Sequence, residues 1–371
     1  MMRMAINEID VVRSKLKDKT FLKKIIKYIK ASSEGKKIKI THVCGTHEQV
    51  INSSGLRSIL PTSIDLIAGP GCPVCVCPAR DIDEAIYLAR KGIIITTFGD
   101  MVRVPSSSSS LENEKAKGCD IRTVYGPNEA IKIAKENPDK EVVFFAVGFE
   151  TTAPAIAHEI LAGPPENFSV LCSLRTIPPV MELLLGLGDL EIDGFICPGH
   201  VATIIGIKPF DQFSKAYRMP TVISGFEPED ILISVALFIK QMIEKDFHAE
   251  NEYSRVVKPE GNIKAQNLLE KAFDVDTVHW RGIGRVPNGG FLIKEKYSEY
   301  DARKKFDIKV EKSIDIKPGC CCHLIMTGRL TPVECKLFEK ECTPERPYGP
   351  CMVSDEGTCH IWSKYGKNLI F

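Results

Sequence analysis

The chain has 371 residues, 44% hydrophobic and 26% charged, which supports ordinary globular cores and, at roughly 150 residues per domain, two or three of them. Forty-nine basic against 48 acidic residues leave a formal charge of +1, without the basic excess of a nucleic-acid binder. The longest strongly apolar stretch, Ile231–Ile239, has nine residues where a membrane span needs about 20, and Met1–Asp10 lacks the apolar core of a secretion signal, so neither a nucleic-acid nor a membrane partner is expected and the location read is cytoplasmic.

Residues 8–34 read as an amphipathic helix rich in Lys and Ile. Short β-type runs follow at Ile38–Val43, Ile64–Ala68, Gly92–Phe98, Val142–Val147, Ser169–Leu174, Gly194–Cys197 and Thr221–Ser224. Between them lie helical patterns at Asp81–Lys91, Asn128–Glu136, Pro154–Leu161, Pro178–Gly186 and Glu229–Lys245. The alternation predicts mainly parallel sheets covered by helices. Ile64-Asp65 through Pro70-Gly71-Cys72 shares four of nine positions with Ile192-Asp193 through Pro198-Gly199-His200, which suggests two similar halves. The serine run Ser106–Ser110 reads as a solvated loop, and Gly126-Pro127 as a break. From about residue 246 the periodicity weakens, with turns expected at Gly282–Gly284 and Pro287–Gly290. The expected fold is therefore α/β: two similar parallel-sheet domains over 1–125 and 126–245, and a C-terminal domain of low regularity over 246–371 that needs a metal or cluster for stability.

Fourteen cysteines are too many for a reducing compartment unless they serve as ligands, redox thiols or small core residues. In Thr41-His42-Val43-Cys44-Gly45-Thr46-His47-Glu48, Cys44 ends a strand and a helix follows, with His47 three residues on to donate a hydrogen bond or move a proton. Open parallel sheets bind ligands at that end of a strand, and a helix N-terminus favours a thiolate. Gly69-Pro70-Gly71-Cys72-Pro73-Val74-Cys75 also follows a strand; its C-x-x-C pair suits redox or transfer chemistry, with zinc as the alternative and Cys77 spare. Glu150, in Gly148-Phe149-Glu150-Thr151-Thr152, is at a strand end, whereas His200, Cys119 and Cys172 read as structural. Cys320, Cys321, Cys322, Cys335, Cys342, Cys351 and Cys359 lack zinc-finger spacing but suit an iron–sulfur cubane with thiols left over for redox cycling. No phosphate-binding G-x-x-x-x-G-K-[ST] loop is present.

Together the motifs resemble one family, HypD, the maturation factors of [NiFe]-hydrogenases. The stretches that carry the resemblance are Cys44–Glu48, Gly69–Cys75, Phe98–Met101 with Val104-Pro105, Phe144–Pro154, Trp280–Gly282, Cys342–Pro344 and Met352–Cys359. The resemblance implies a metallocentre-assembly scaffold on which iron receives two cyanides and one carbon monoxide, working with the small chaperone HypC and receiving cyanide from HypE. It implies that Cys44 is the thiolate holding the iron jointly with HypC, that His47 is an accessory polar group, and that Cys72 and Cys75 serve ligand or electron transfer. It further implies a [4Fe-4S] cluster on Cys320, Cys335, Cys342 and Cys359, a redox pair Cys322 and Cys351, and a functional acid at Glu356. Three consecutive cysteines, Cys320 to Cys322, stand where the family has C-x-C-G, so which of the three ligates the cluster stays open. Two competing readings are a stand-alone thiol–disulfide oxidoreductase using Cys72 and Cys75, and a zinc-stabilised interaction module.

Overall fold

The computed structural model describes residues 19–366 other than residue 189. Among the described residues the strands are β1 Ile38–His42, β2 Ile64–Ala68, β3 Ile94–Thr97, β4 Ile121–Thr123, β5 Val142–Gly148, β6 Phe168–Leu174, β7 Gly194–Pro198, β8 Thr221–Ser224, β9 Ala249–Asn251, β10 Phe273–Trp280 and β11 Gly284–Ile293. The helix expected over 8–34 is present as Lys19–Ser32; residues 8–18 and the Met1–Asp10 stretch lie outside the described residues.

Two compact units divide the chain: one takes the segments up to Gly71, Met181–Asn262 and from Ile361, the other Cys72–Val180 and Ile263–His360. The first is built on a five-stranded parallel sheet of order β2-β1-β7-β8-β9. Ile40 of β1 pairs with Leu66 on one side and Gly194 on the other. Helix Lys19–Ser32 turns Phe21, Ile25, Tyr28 and Ile29 inward, a spacing that puts all four on one helical face. They join Ile38, Ile40, Leu66, Ile196 and Val222 of the strands, and the helix Pro228–Glu244, which is apolar over most of its surface and buried accordingly.

The second unit contains a parallel sheet of order β4-β3-β5-β6. Every residue of β5 and β6 is buried, as expected of central strands covered on both faces. A separate antiparallel pair, β10–β11, precedes a region of short turns that carries the C-terminal cysteines. The fold is thus α/β, with two similar parallel-sheet regions and a less regular C-terminal region.

The expected strands and helices recur within about two residues, but three larger expectations do not hold. The units do not divide at 125/126 and 245/246, because β1 pairs with β7 some 150 residues later and the Cys72–Val180 segment of the second unit is inserted between them. The repeated Ile-Asp…Pro-Gly segments do not mark two halves; they form β2 and β7 of the same sheet. The serine run is not a solvated loop: Ser106, Ser109 and Ser110 are buried. Ser106 Oγ donates to the Ser109 carbonyl, Ser109 Oγ to Glu114, and Ser110 caps helix Leu111–Ala116 by accepting from the Asn113 N–H. The Pro287–Gly290 turn proves to be an irregularity inside β11, where the register jumps from Asp276↔Gly290 to Val278↔Val286 and Asn288 takes φ 53°. That excursion lets the Gly289 carbonyl accept from Trp280 Nε1 and the Thr176 N–H.

Candidate functional site

Within the first unit the strands stand in the order second, first, third, fourth, fifth, so the chain changes direction between β1 and β7. At such a switch point the loops leaving two neighbouring strands diverge and open a crevice at their carboxyl ends. Cys44 occupies this place. It lies two residues beyond β1, in extended conformation (φ −150°, ψ 129°), as the N-cap of helix Gly45–Ser53, and is partly exposed. The N–H of Val43 donates to the Ile196 carbonyl of β7 at 3.2 Å, which ties this turn to the neighbouring strand. The loop after β2 closes on it from the other side. Gly45 N–H donates to the Gly71 carbonyl, and a Cβ on Gly71 would fall 2.2 Å from the Cys44 nitrogen, so only glycine permits the approach.

His47 is fully buried beneath this turn. Its Nε2 lies 3.0 Å from the carbonyl of Gly225, which can only accept, so the proton of the ring sits on Nε2. Burial and the neighbouring His42 push its pKa down to about 3, so the ring is neutral and its Nδ1 is a bare lone pair, buried with no partner among the described residues. His47 does donate a hydrogen bond, as expected, but to the Gly225 carbonyl, so its one N–H is already spent. Glu48 is the hub of a buried network, accepting from His42 Nε2, Arg57, Asn52 and Trp362 Nε1 at 2.6–2.9 Å. Burial alone would raise Glu48, but Arg57 and His42 outweigh it and hold the carboxylate well below the usual range. This network anchors the helix that presents Cys44.

Opposite Cys44 across the switch point, the turn after β7 carries His200, which is exposed rather than packed away as expected. Its ring stacks on Phe226 at 3.9 Å between centroids and 23°, and the ring of His47 stacks on the same phenyl at 4.9 Å and 28°. Phe226 follows β8 in the tripeptide Gly225-Phe226-Glu227, which repeats Gly148-Phe149-Glu150 at the end of β5. That repeat was a signal in the sequence for Phe226, which motif reading had missed. Gly225 is pinned from behind: its N–H donates to Glu252, and a Cβ there would meet Asp230 at 2.1 Å and Tyr253 at 2.6 Å. Glu252 is pushed up to about 8 by burial and by Asp230, while Arg255 pairs with Asp230.

In the second unit, Cys72 caps the single-turn helix Pro73–Val76, its sulfur accepting from the Cys75 N–H at 3.2 Å. Both thiols are buried, with 5% and 1% exposure, and burial drives the Cys75 thiol far up. Cys351 is the meeting point of the thiols. Its sulfur lies 2.7 Å from that of Cys322, and Cys75 and Cys359 are also hydrogen-bonding neighbours. A cavity beside them is lined by Cys320, Cys322, Cys335, Cys342, Cys351 and Cys359 together with Ile325, Leu337, Phe338 and Met352. Among the described residues no carboxylate or amine lines it. Of the three consecutive cysteines, Cys320 and Cys322 line this cavity; Cys321 does not, although its thiol is a hydrogen-bonding neighbour of Cys335. A Cβ on Gly349 would lie 2.7 Å from the Cys320 sulfur, so glycine keeps that thiol's space. Among the described residues no three donors converge closely enough for a single metal ion. A cubane instead takes thiolates at separate corners, and an all-sulfur, apolar-walled cavity suits that soft donor demand.

Glu356, expected as a functional acid, lies half-buried on the turn closed by Ser354, three residues before Cys359. Glu150 is buried at the corresponding switch point of the second sheet, between β3 and β5. One oxygen accepts from the Ile177 N–H and the other has no partner among the described residues; burial pushes its pKa up to about 7. Cys77 is no spare thiol: it contacts Ser173 Oγ at 3.4 Å and is buried, with its pKa raised to about 12 by burial and Asp81. Cys172 is likewise buried, its thiol facing the Phe291 carbonyl.

Comparison with known proteins adds decisive context. A family model described as HypD, hydrogenase formation hypA family, matches residues 20–366. The chain belongs to the HypD family. It is 47% identical over 356 residues to a hydrogenase expression/formation protein of Methanocaldococcus jannaschii, covering 95% of this chain and 99% of the relative. It is 44% identical over 364 residues to the hydrogenase maturation factor HypD2 of Bradyrhizobium diazoefficiens, covering 95% and 96%. Against the hydrogenase maturation factor HypD of Azotobacter vinelandii the identity is 41% over 340 residues, with 89% of each chain covered. HypD membership gives this chain a role in hydrogenase maturation. No described helix is long and apolar enough to cross a membrane.

Proposed function

We propose that this HypD-family protein is the scaffold on which the iron of a [NiFe]-hydrogenase acquires two cyanides and one carbon monoxide. Cys44 holds the iron together with a cysteine of HypC, HypE supplies cyanide, and the work is done in the cytoplasm. The observation that carries this reading is the placement of Cys44: a partly exposed thiol at a topological switch point, with the backbone on both sides fixed by β7 and Gly71. A partly exposed thiolate at the carboxyl end of β1 is open to an iron shared with a partner.

Cys320, Cys335, Cys342 and Cys359 are the residues that would hold a [4Fe-4S] cluster, and their shared cavity supports that assignment. Bound there, the cluster would supply electrons. Cys322 and Cys351 are close enough to exchange between dithiol and disulfide, and Cys75 adjoins Cys351. A Cys72–Cys75 disulfide would exchange with the Cys322–Cys351 dithiol: Cys351 attacks the Cys75 sulfur and releases Cys72, then Cys322 attacks Cys351 and releases Cys75, so one pair is oxidised to a disulfide as the other is reduced to two thiols. A generic thiol–disulfide oxidoreductase needs an attacking sulfur at the surface, and the burial of Cys72 and Cys75 weighs against that alternative. Anaerobic metal and sulfide analysis tests the cluster assignment. About four iron and four sulfide per chain are expected, falling in Cys342→Ala and unchanged in Cys321→Ala; stoichiometric zinc without sulfide would refute it.

A further inference from the structure

The two imidazoles at the first switch point differ in what they can offer. His47 has given its N–H to Gly225 and keeps only a buried acceptor, Nδ1. His200 belongs to the turn after β7, the strand next to β1 at the point where the sheet changes direction. In the β1–β7 register His42 stands opposite Ile196, so continuing it sets Cys44 opposite Pro198, two residues before His200. Neighbouring strands run about 5 Å apart, which places His200 along the same crevice as Cys44.

The surroundings fix the ring without using its nitrogens. Phe226 sets its plane by stacking. Tyr253 meets Phe226 edge-on at 90° and closes against Gly199 and Gly225, where a Cβ would fall 2.6 Å from its ring in both cases. The ring nitrogens of His200 have no described partner. Burial on one face lowers its pKa, keeping a neutral ring with one N–H and one lone pair.

We propose that His200 is the hydrogen-bond donor of the Cys44 site, its ring N–H serving an acceptor atom of the ligand set carried by metal on that thiolate. The inference rests on the iron-assembly reading above, in which the acceptor is the nitrogen of an iron-bound cyanide. A cyanide nitrogen takes a hydrogen bond readily, whereas a carbonyl oxygen bound to iron is a poor acceptor, so His200 discriminates between the two diatomics by their acceptor strength.

Infrared spectra of the anaerobic complex with the partner chaperone test the assignment, using His200→Phe, which keeps a stacking ring but no donor, and His200→Gln, which restores an N–H. At least one cyanide stretching band is expected to move in His200→Phe and to return toward its original position in His200→Gln. Should His200→Phe lose the bands entirely, their return in His200→Gln supports the donor role and their absence there overturns it. Cyanide bands at unchanged positions in His200→Phe overturn it directly. An absence of any diatomic bands in the unsubstituted complex would instead bring down the iron-assembly reading and this inference with it.

Discussion

The Gly225 carbonyl takes the Nε2 proton of His47 at 3.0 Å, and that one bond settles the tautomer of a fully buried imidazole. Because the folded ring titrates near pH 3 and the unfolded one near 6.5, the unfolded chain binds more protons across that window. This contribution to stability is therefore intact above about pH 6.5 and lost progressively as the pH falls toward 3. Urea unfolding at pH 7 and pH 4.5 should show a loss on the order of 3 kcal/mol from this group. The loss should be absent from a His47→Gln variant; equal losses in both proteins would mean that the ring is protonated in place.

Gly71 offers a steric test of how Cys44 is held. The methyl of Gly71→Ala would collide with backbone, at 2.2 Å from the Cys44 nitrogen, and backbone cannot rotate aside as a side chain can. A destabilisation of about 1–3 kcal/mol is expected, with loss of iron from the complex with the partner chaperone. Iron and sulfide bound by the C-terminal cysteines should be unaffected, and both quantities can be measured on one anaerobic preparation.

Mild oxidation should join Cys322 and Cys351 before any other pair, since their sulfurs lie 2.7 Å apart while Cys77 and Cys172 are occupied with Ser173 and the Phe291 carbonyl. Peptide mass mapping after oxidation under denaturing alkylation should recover a Cys322–Cys351 peptide and leave Cys77 and Cys172 alkylated. In Cys351→Ser that peptide should be absent, with Cys320 the thiol left beside Cys322.

Much of this molecule could be read locally, because buried parallel strands and amphipathic helices carry their own periodicity. The run Val142–Val147 and the spacing of Phe21, Ile25, Tyr28 and Ile29 are such cases. The motif around Cys44 also announced its place at a strand end. What local pattern could not show was pairing across long separations. The β1–β7 ladder defines the first unit and the switch point, yet nothing near Ile40 specifies Gly194. The bond from Trp362 to Glu48 spans 314 residues. The serine run misled for a related reason: five small polar residues look solvated until Glu114 and the Ser109 carbonyl supply buried partners. His47 and His200 had the same residue type, and only the Gly225 carbonyl separates spent from available N–H.

The most direct measurement is the infrared spectrum of the Cys44→Ala variant co-purified anaerobically with HypC, alongside its iron and sulfide content. The account requires the cyanide and carbon monoxide bands to vanish while about four iron and four sulfide per chain remain at the C-terminal cysteines. Persistence of those bands without the Cys44 thiol would contradict it.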